Sequence, residues 1–300
     1  MKVLVCDKTE KECIEQMRAA GITVDTQFEI TPEELVVTAP KYDALVVRSR
    51  TKVRQPLIDA CPNLKLIVRG GVGLDTIDVE YAQSKGIVVK NTPLAASASV
   101  AELAIGYMFM LARSLYKAST TMKEGRWEKK AFEGDEINGK TLGIVGVGNI
   151  GKETAKRASG LGMTVIAYDP YVQSFQYGKL VSLDELLARS DYISLHLPKN
   201  GETASMIGDQ QFAKMKDGVR IINCARGGIV DEEALFRALE NGKVAGAALD
   251  VFAFEPPTDW KLIKHDNVVA SPHIGAATKE GQSRVGAEVA QIVIEFSKQL

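Results

Sequence analysis

The stretch GKTLGIVGVGNIGKETAKRASGL, Gly139 to Leu161, decides how the chain folds. Lys140 to Val145 reads as a β-rich run, and it passes directly through Gly146, Val147, Gly148, Asn149, Ile150 and Gly151 into a helical segment, Lys152 to Leu161. In such a strand, turn and helix, Gly146 permits the tight turn, Gly148 lets backbone N–H groups approach a pyrophosphate, and Gly151 lets helix pack closely on strand, with the anion at the helix N-terminus. The following run ends in Asp169, 18 residues after Gly151, where a carboxylate can accept from both ribose hydroxyls of an adenosine. Asp169 would repel a 2'-phosphate and Pro170 offers no cation to hold one, so NAD is expected over NADP.

Outward from this turn the same alternation runs through the chain. Toward the N-terminus, Val3 to Cys6, Ala44 to Val47, Leu64 to Val68 and Ile87 to Val89 read as strands buried on both faces. Helical segments at Lys11 to Ala20, Pro56 to Ala60 and Val79 to Ser84 separate them, giving a small α/β unit over the first ~90 residues. A long helix is expected from Ser99 to Lys123, with Leu103, Ile105, Met108, Leu111 and Leu115 as its apolar stripe. Six strands belong to the later series: Leu142 to Val145, Val165 to Tyr168, Tyr192 to Leu195, Arg220 to Asn223, Ala245 to Val251 and Val268 to Ala270, enough for a doubly wound parallel sheet. A last amphipathic helix, Arg284 to Lys298, closes the chain.

Composition narrows the class. The chain has 300 residues, 45% of them hydrophobic and 25% charged, and 37 basic against 38 acidic residues leave a net charge of -1. That balance fits a globular protein of two domains and disfavours disorder or a broad basic face for nucleic acid. Four scattered cysteines and three histidines (His196, His265, His273) offer no metal-ligand spacing, so no metal is expected. The N-terminus lacks a secretory apolar region, and the most apolar window, Leu103 to Ala112, is far below the ~20 residues of a membrane span. A reducing cytoplasm is the compartment expected.

Three polar residues fall at or just past strand ends in the later half, where open parallel sheets place ligands: Arg226, Glu255 and His273. A histidine can take the proton of a substrate hydroxyl, a neighbouring carboxylate can fix its tautomer and favour its charged form, and an arginine can clamp a carboxylate bidentately. That is the chemistry of 2-hydroxy acid oxidation. Spacing alone leaves Arg226 equally readable as a surface cation, Glu255 as a solvated loop carboxylate and His273 as a satisfied core residue.

The wording of the segments goes further. NCARGGIVDEEAL (223–235), AALDVFAFEPP (247–257), SPHIGAAT (271–278), GKTLGIVGVGNIG (139–151) and RGGVGLDTIDVEYAQSKGI (69–87) closely resemble the D-isomer-specific 2-hydroxyacid dehydrogenases, over essentially the whole chain. The resemblance implies a Rossmann NAD-binding domain (95–281) inserted into a smaller, discontinuous flavodoxin-like α/β substrate domain (1–94 and 282–300). It implies His273 as acid/base, Glu255 as its partner and Arg226 as binder of the substrate carboxylate and C2 oxygen. It also assigns Asn149 and Ile150 to the pyrophosphate, Val72, Leu197, Cys224, Ala225, Gly275 and Ala276 to the cofactor, and Asp250 to the nicotinamide amide. Gly71, Val72 and Gly73 would offer N–H groups to the substrate carboxylate. Phe254 stands where relatives often carry an acid, whereas Glu255 fits the catalytic position itself. Formate dehydrogenases, which pair the histidine with Gln, fit less well.

Within the family the resemblance points to oxidation of 3-phospho-D-glycerate to 3-phosphohydroxypyruvate at the entry to serine synthesis. RSRT (48–51) supplies the phosphate site: it follows a strand, alternation turns Arg48 and Arg50 to one side, and both match phosphate-binding arginines. Lys129, in GRWEKK, matches a lysine that in relatives reaches the phosphate of the neighbouring subunit. A homodimer is expected, built on the helix near Tyr107 to Leu115. Long relatives continue into a serine-binding regulatory domain, so feedback inhibition through such a domain is not expected of a chain ending at Leu300. The alternatives are a glyoxylate or hydroxypyruvate reductase of the same family and, in another class, an NAD-sensing protein resembling the corepressors built on this scaffold.

Overall fold

A computed structural model describes all 300 residues, Met1–Leu300. The chain divides into two compact units, Met1–Ser97 with Ala276–Leu300, and Ala98–Gly275. The cuts fall at 97 and 276, where the sequence suggested 94 and 282.

The first unit holds five parallel strands, β1 (Lys2–Val5), β2 (Thr23–Thr26), β3 (Ala44–Val47), β4 (Leu66–Arg69) and β5 (Val88–Asn91), in the order β2-β1-β3-β4-β5. Alternate residues point to opposite faces, so two cores form. Leu4, Leu45, Val47 and Ile67 pack with Leu57 and Ile58. Val3, Val5, Val46 and Val68 pack with Met17, Val285, Val289 and Val293. The last three valines lie on the final helix, Lys279–Ser297, which starts ahead of the expected Arg284 because the Thr278 hydroxyl accepts the Gly281 N–H (2.9 Å). Sequence reading missed β2, an edge strand with only Val24 buried. It also missed the helix Pro32–Thr38, although TPEE spells its capping box: Thr31 Oγ1 accepts from Glu34 N, and the Glu34 carboxylate accepts from Thr31 N.

The second unit is a seven-stranded parallel sheet: β6 (Thr141–Val145), β7 (Thr164–Tyr168), β8 (Lys179–Leu180), β9 (Tyr192–Leu195), β10 (Val219–Asn223), β11 (Val244–Leu249) and β12 (Val268–Ala270). Their order is β12-β11-β10-β9-β6-β7-β8. The order reverses between β6 and β9, which sets the ligand crevice at the carboxyl ends of those strands. The two-residue edge strand β8 adds a seventh to the six expected.

The expected single helix Ser99 to Lys123 is two helices, Ser97–Arg113 and Leu115–Lys123, bent by 68° at Ser114, whose φ of 47° lies in the left-handed region. Leu115 therefore leaves the apolar stripe and is exposed, whereas Tyr107, Met108 and Leu111 are buried with Leu142, Ile144 and Ile222. Tyr107, Met108, Leu111 and Ala112 of the segment expected at a dimer contact are thus core of their own unit, with only Phe109 and Leu115 among its large apolar side chains exposed. No single helix is long and apolar enough to cross a membrane.

Candidate active site

The glycine turn after β6 is built by close approach. Gly146 has φ +93°, and a Cβ there would lie 2.7 Å from the His196 carbonyl oxygen at the end of β9. A Cβ on Gly151 would lie 2.1 Å from the Gly146 carbonyl oxygen, so only glycine lets the helix Asn149–Gly160 start against the strand. The side of Gly148 is open, and no side-chain hydrogen bond caps that helix, whose positive N-terminus favours an anion. Asp169, just past β7, accepts the Val147 N–H on Oδ2 (2.9 Å) and the Tyr171 N–H on Oδ1 (2.9 Å), and each oxygen keeps a lone pair for a hydroxyl. These residues fit a dinucleotide. Ile150 packs partly buried beside the turn, the Gly146 turn presses on Leu197, and Ala225 is buried after β10. Cys224 is buried too, and burial pushes its thiol far up, making it an inert packing residue.

Beyond β10 and β11 lie the reacting residues. His273 Nδ1 and Glu255 Oε2 are 2.7 Å apart, and Glu255 Oε1 accepts the Phe252 N–H (3.1 Å). Burial alone would push the Glu255 carboxyl up, but the hydrogen bond and charge of His273, the Phe252 N–H and the charge of Arg226 outweigh it and hold the group below the ordinary carboxylate range. Arg226 is carried by the loop after β10, with Asn223 Nδ2 donating to its carbonyl (3.0 Å) and its own Nη1 to the Ala225 carbonyl (2.6 Å). That loop is pressed against the one leading to Glu255: a Cβ on Gly227 would sit 1.7 Å from the Phe252 carbonyl oxygen. The other histidines have structural roles. His196 Nε2 bonds Ser194 Oγ (2.8 Å) while burial lowers the ring to about 3, and His265 pairs with Glu240 (3.2 Å).

Asp250, one residue past β11, is 1% exposed. Its carboxylate accepts the Ser271 hydroxyl, the Ile274 N–H (2.8 Å) and the Gly275 N–H (2.7 Å). Most of its capacity is spent inside the loop that carries His273, a role the sequence reading did not contain.

In the first unit, Arg48 and Arg50 follow β3, but the strand stops at Val47 and the chain bends at 49–50, so strand alternation does not reach the pair. A buried carboxylate organises them instead. Asp7 accepts the Arg48 N–H (2.5 Å), the Thr51 N–H (3.2 Å), the Thr51 hydroxyl (2.8 Å) and Arg50 Nε (3.0 Å). Arg50 also donates through Nη1 to Ile30 O (2.9 Å) and through Nη2 to Cys6 O (2.7 Å), so every nitrogen of its guanidinium is tethered. The Arg48 side chain makes one long bond, to Lys8 O (3.4 Å), and its stem lies beside Gly70 ahead of Gly71, Val72 and Gly73. Sequence reasoning missed Asp7 and also Arg69, whose guanidinium fills the place a Cβ on Gly71 would take. Ala276 opens the returning segment of this unit. Lys129 sits exposed on a short turn, Lys129–Ala131, of the second unit.

Residues 105–275 match the family model described as D-isomer specific 2-hydroxyacid dehydrogenase, NAD binding domain. The chain is 50% identical to a D-3-phosphoglycerate dehydrogenase of Archaeoglobus fulgidus, covering 100% of this chain and 58% of that protein. It is 49% identical to a hydroxypyruvate reductase of Thermotoga maritima, covering 98% of this chain and 97% of that one. Among solved structures, a glyoxylate reductase from Paecilomyes thermophila superposes with a TM-score of 0.89 at 36% identity, covering 97% of this chain and 93% of that one. The chain therefore spans little more than half the length of the phosphoglycerate dehydrogenase and nearly all of the hydroxypyruvate reductase.

Proposed function

This chain belongs to the D-isomer-specific 2-hydroxyacid dehydrogenases, and we propose that it oxidises 3-phospho-D-glycerate to 3-phosphohydroxypyruvate with NAD, the first step of the phosphorylated route to L-serine. The observation that carries the reaction class is the 2.7 Å pairing of His273 Nδ1 with Glu255 Oε2. With Nδ1 held by the carboxylate, Nε2 is the ring nitrogen left to take the C2 hydroxyl proton during oxidation and return it to the carbonyl oxygen in reduction. NAD, held by the Gly146–Gly151 turn and Asp169, supplies the acceptor for the hydride when bound. Arg226 binds the carboxylate and C2 oxygen. Gly71, Val72 and Gly73 contribute backbone donors. Four free, buried cysteines support a reducing compartment.

Two arginines on the loop that Asp7 gathers, Arg48 through its backbone N–H and Arg50 through its guanidinium, support a phosphorylated substrate, because a dianion gains far more from such cations than a neutral hydroxymethyl end does. Lys129 adds its charge to the phosphate of a second copy. That copy would cover Phe109, Leu115, Met122 and Trp127, large apolar side chains left exposed on the segment leading to Lys129. Sedimentation at micromolar concentration giving only a ~32 kDa species would remove the dimer.

The second reading, a hydroxypyruvate reductase, is favoured by the 49% identity to the Thermotoga enzyme and by the tethering of Arg50. Steady-state rates on phosphorylated and unphosphorylated substrates separate the two. Arg48→Ala with Arg50→Ala should cost about 2 kcal/mol or more of the preference for 3-phosphoglycerate over glycerate, the scale of hydrogen bonds to charged groups. A double variant that keeps its preference takes the phosphate away from these two arginines, and a wild type that has no such preference makes hydroxypyruvate the substrate.

A further inference from the structure

We propose that Tyr107 and Ser271 are positioning residues that set His273 through the buried carboxylate of Asp250. The inference rests on the reading above for the role of the histidine, but its support is separate and lies in how the 271–275 loop is held.

His273 has φ +54°, a left-handed conformation that L side chains adopt only when neighbours impose it. Asp250 imposes it. Its carbonyl accepts the His273 N–H (2.9 Å), its Oδ1 the Ile274 N–H and its Oδ2 the Gly275 N–H, so one residue gathers three successive backbone donors. A Cβ at Gly275 would lie 2.9 Å from Oδ2, which keeps that approach close. Turning the backbone at 273 is what aims the imidazole at Glu255.

The carboxylate is itself oriented from behind. Ser271 Oγ bonds Asp250 Oδ1 and also Tyr107 Oη. An ionised carboxylate can only accept, so the serine proton goes to Asp250 and the Ser271 oxygen accepts the tyrosine proton. The chain therefore has one direction: Tyr107 to Ser271 to Asp250. Tyr107 is 2% exposed in the core helix Ser97–Arg113, and burial pushes its phenol up, so it remains a donor. Linked hydrogen bonds of this kind polarise one another in a dry interior. Removing the phenol should loosen the carboxylate, the turn and the imidazole in that order, without touching a ligand.

The test uses the whole chain with Tyr107→Phe, Ser271→Ala, both together, and Ser271→Thr. Tyr107→Phe should lower kcat by about five- to tenfold, since small displacements of a reacting group are costly, with both KM values and Tm little changed. Ser271→Ala should lower kcat at least as far, the double variant should be no worse than Ser271→Ala because the groups act in series, and Ser271→Thr should restore the rate. The imidazole proton shared by His273 and Glu255, followed by NMR, should move in Tyr107→Phe. Wild-type kcat with an unmoved resonance in Tyr107→Phe, or losses that multiply in the double variant, overturns the proposal. If the wild type turns over no 2-hydroxy acid yet that resonance moves in Tyr107→Phe, the dehydrogenase reading falls and the positioning role stands.

Discussion

Two buried aspartates in different parts of the molecule do the same job with different results. Asp7 lies just beyond β1 and gathers the loop that follows its neighbour β3; Asp250 lies just beyond β11 and gathers the loop that follows its neighbour β12. Both are almost fully enclosed, and each accepts from two backbone N–H groups of the captured loop as well as from its side chains. The difference is in what the captured loop displays. At Asp7 a guanidinium is among the donors, so the carboxylate is paired and the loop presents cations. At Asp250 the side-chain donor is a neutral hydroxyl, and the loop presents an imidazole already engaged with Glu255. A strand-end carboxylate thus fixes geometry alone, and the chemistry comes from the next few residues. The first loop should govern binding and the second turnover.

The sharpest test is at the displayed group. Replacing His273 by Asn should cut turnover by roughly 100-fold or more while NAD binding, followed by fluorescence titration, stays near wild type. Weakened NAD binding of similar size would put the histidine in the cofactor site instead.

Replacing the anchors comes next. In Asp250→Asn and Asp7→Asn an amide that must donate faces backbone groups that also donate, so each loop should lose its fixed shape. We expect Asp250→Asn to lower kcat about tenfold with a smaller change in KM for the hydroxy acid. Asp7→Asn should raise that KM about tenfold with kcat largely kept. The reverse pattern in steady-state kinetics would break the comparison.

Most of the sheet was legible because strands buried on both faces have continuous apolar runs: Ala44–Val47 and Tyr192–Leu195 begin and end where the pattern does, and the edge strand Val268–Ala270 is apolar enough to show. Two other edge strands bury too little to leave that mark, which hid Thr23–Thr26 and Lys179–Leu180. The break at Ser114 was hidden because helical spacing continues across it and nothing in Arg113-Ser114-Leu115 demands a left-handed residue. In the site, the glycine turn and the three reacting residues were readable from position and wording. The anchors were not, since an aspartate after a strand looks alike whether it faces water or collects four donors from residues 41 to 44 positions away.

A smaller effect is expected at the cofactor. Asp169→Ala removes both the ribose acceptor and the repulsion of a 2'-phosphate, and it also frees the Val147 N–H beside the glycine turn. The KM for NAD should rise several-fold and the margin over NADP should narrow, as rates with each nucleotide will show. An unmoved ratio of the two would take the ribose away from Asp169.

The least effect, and the most direct reading of the second loop, is on the Glu255 titration. Burial pushes this carboxyl up, whereas His273, the Phe252 N–H and Arg226 bring it below its ordinary range. In His273→Asn the burial, the Phe252 N–H and Arg226 remain but the imidazole's hydrogen bond and charge are gone, so the midpoint must rise. Carbon-13 NMR of the side-chain carboxyl measures it directly. Stability follows with a definite sign: a carboxyl whose folded value is depressed stabilises the fold above its unfolded value and loses that contribution as pH falls through the folded one. The Tm of the wild type relative to His273→Asn should therefore be highest near neutrality and converge in acid, below the ordinary carboxylate range. The difference will be small because Glu255 is more than a third exposed and solvent screens the pair. A midpoint that stays low in His273→Asn would mean that Arg226 and the Phe252 N–H hold Glu255 without the histidine, and the pairing at the centre of the loop would lose its electrostatic basis.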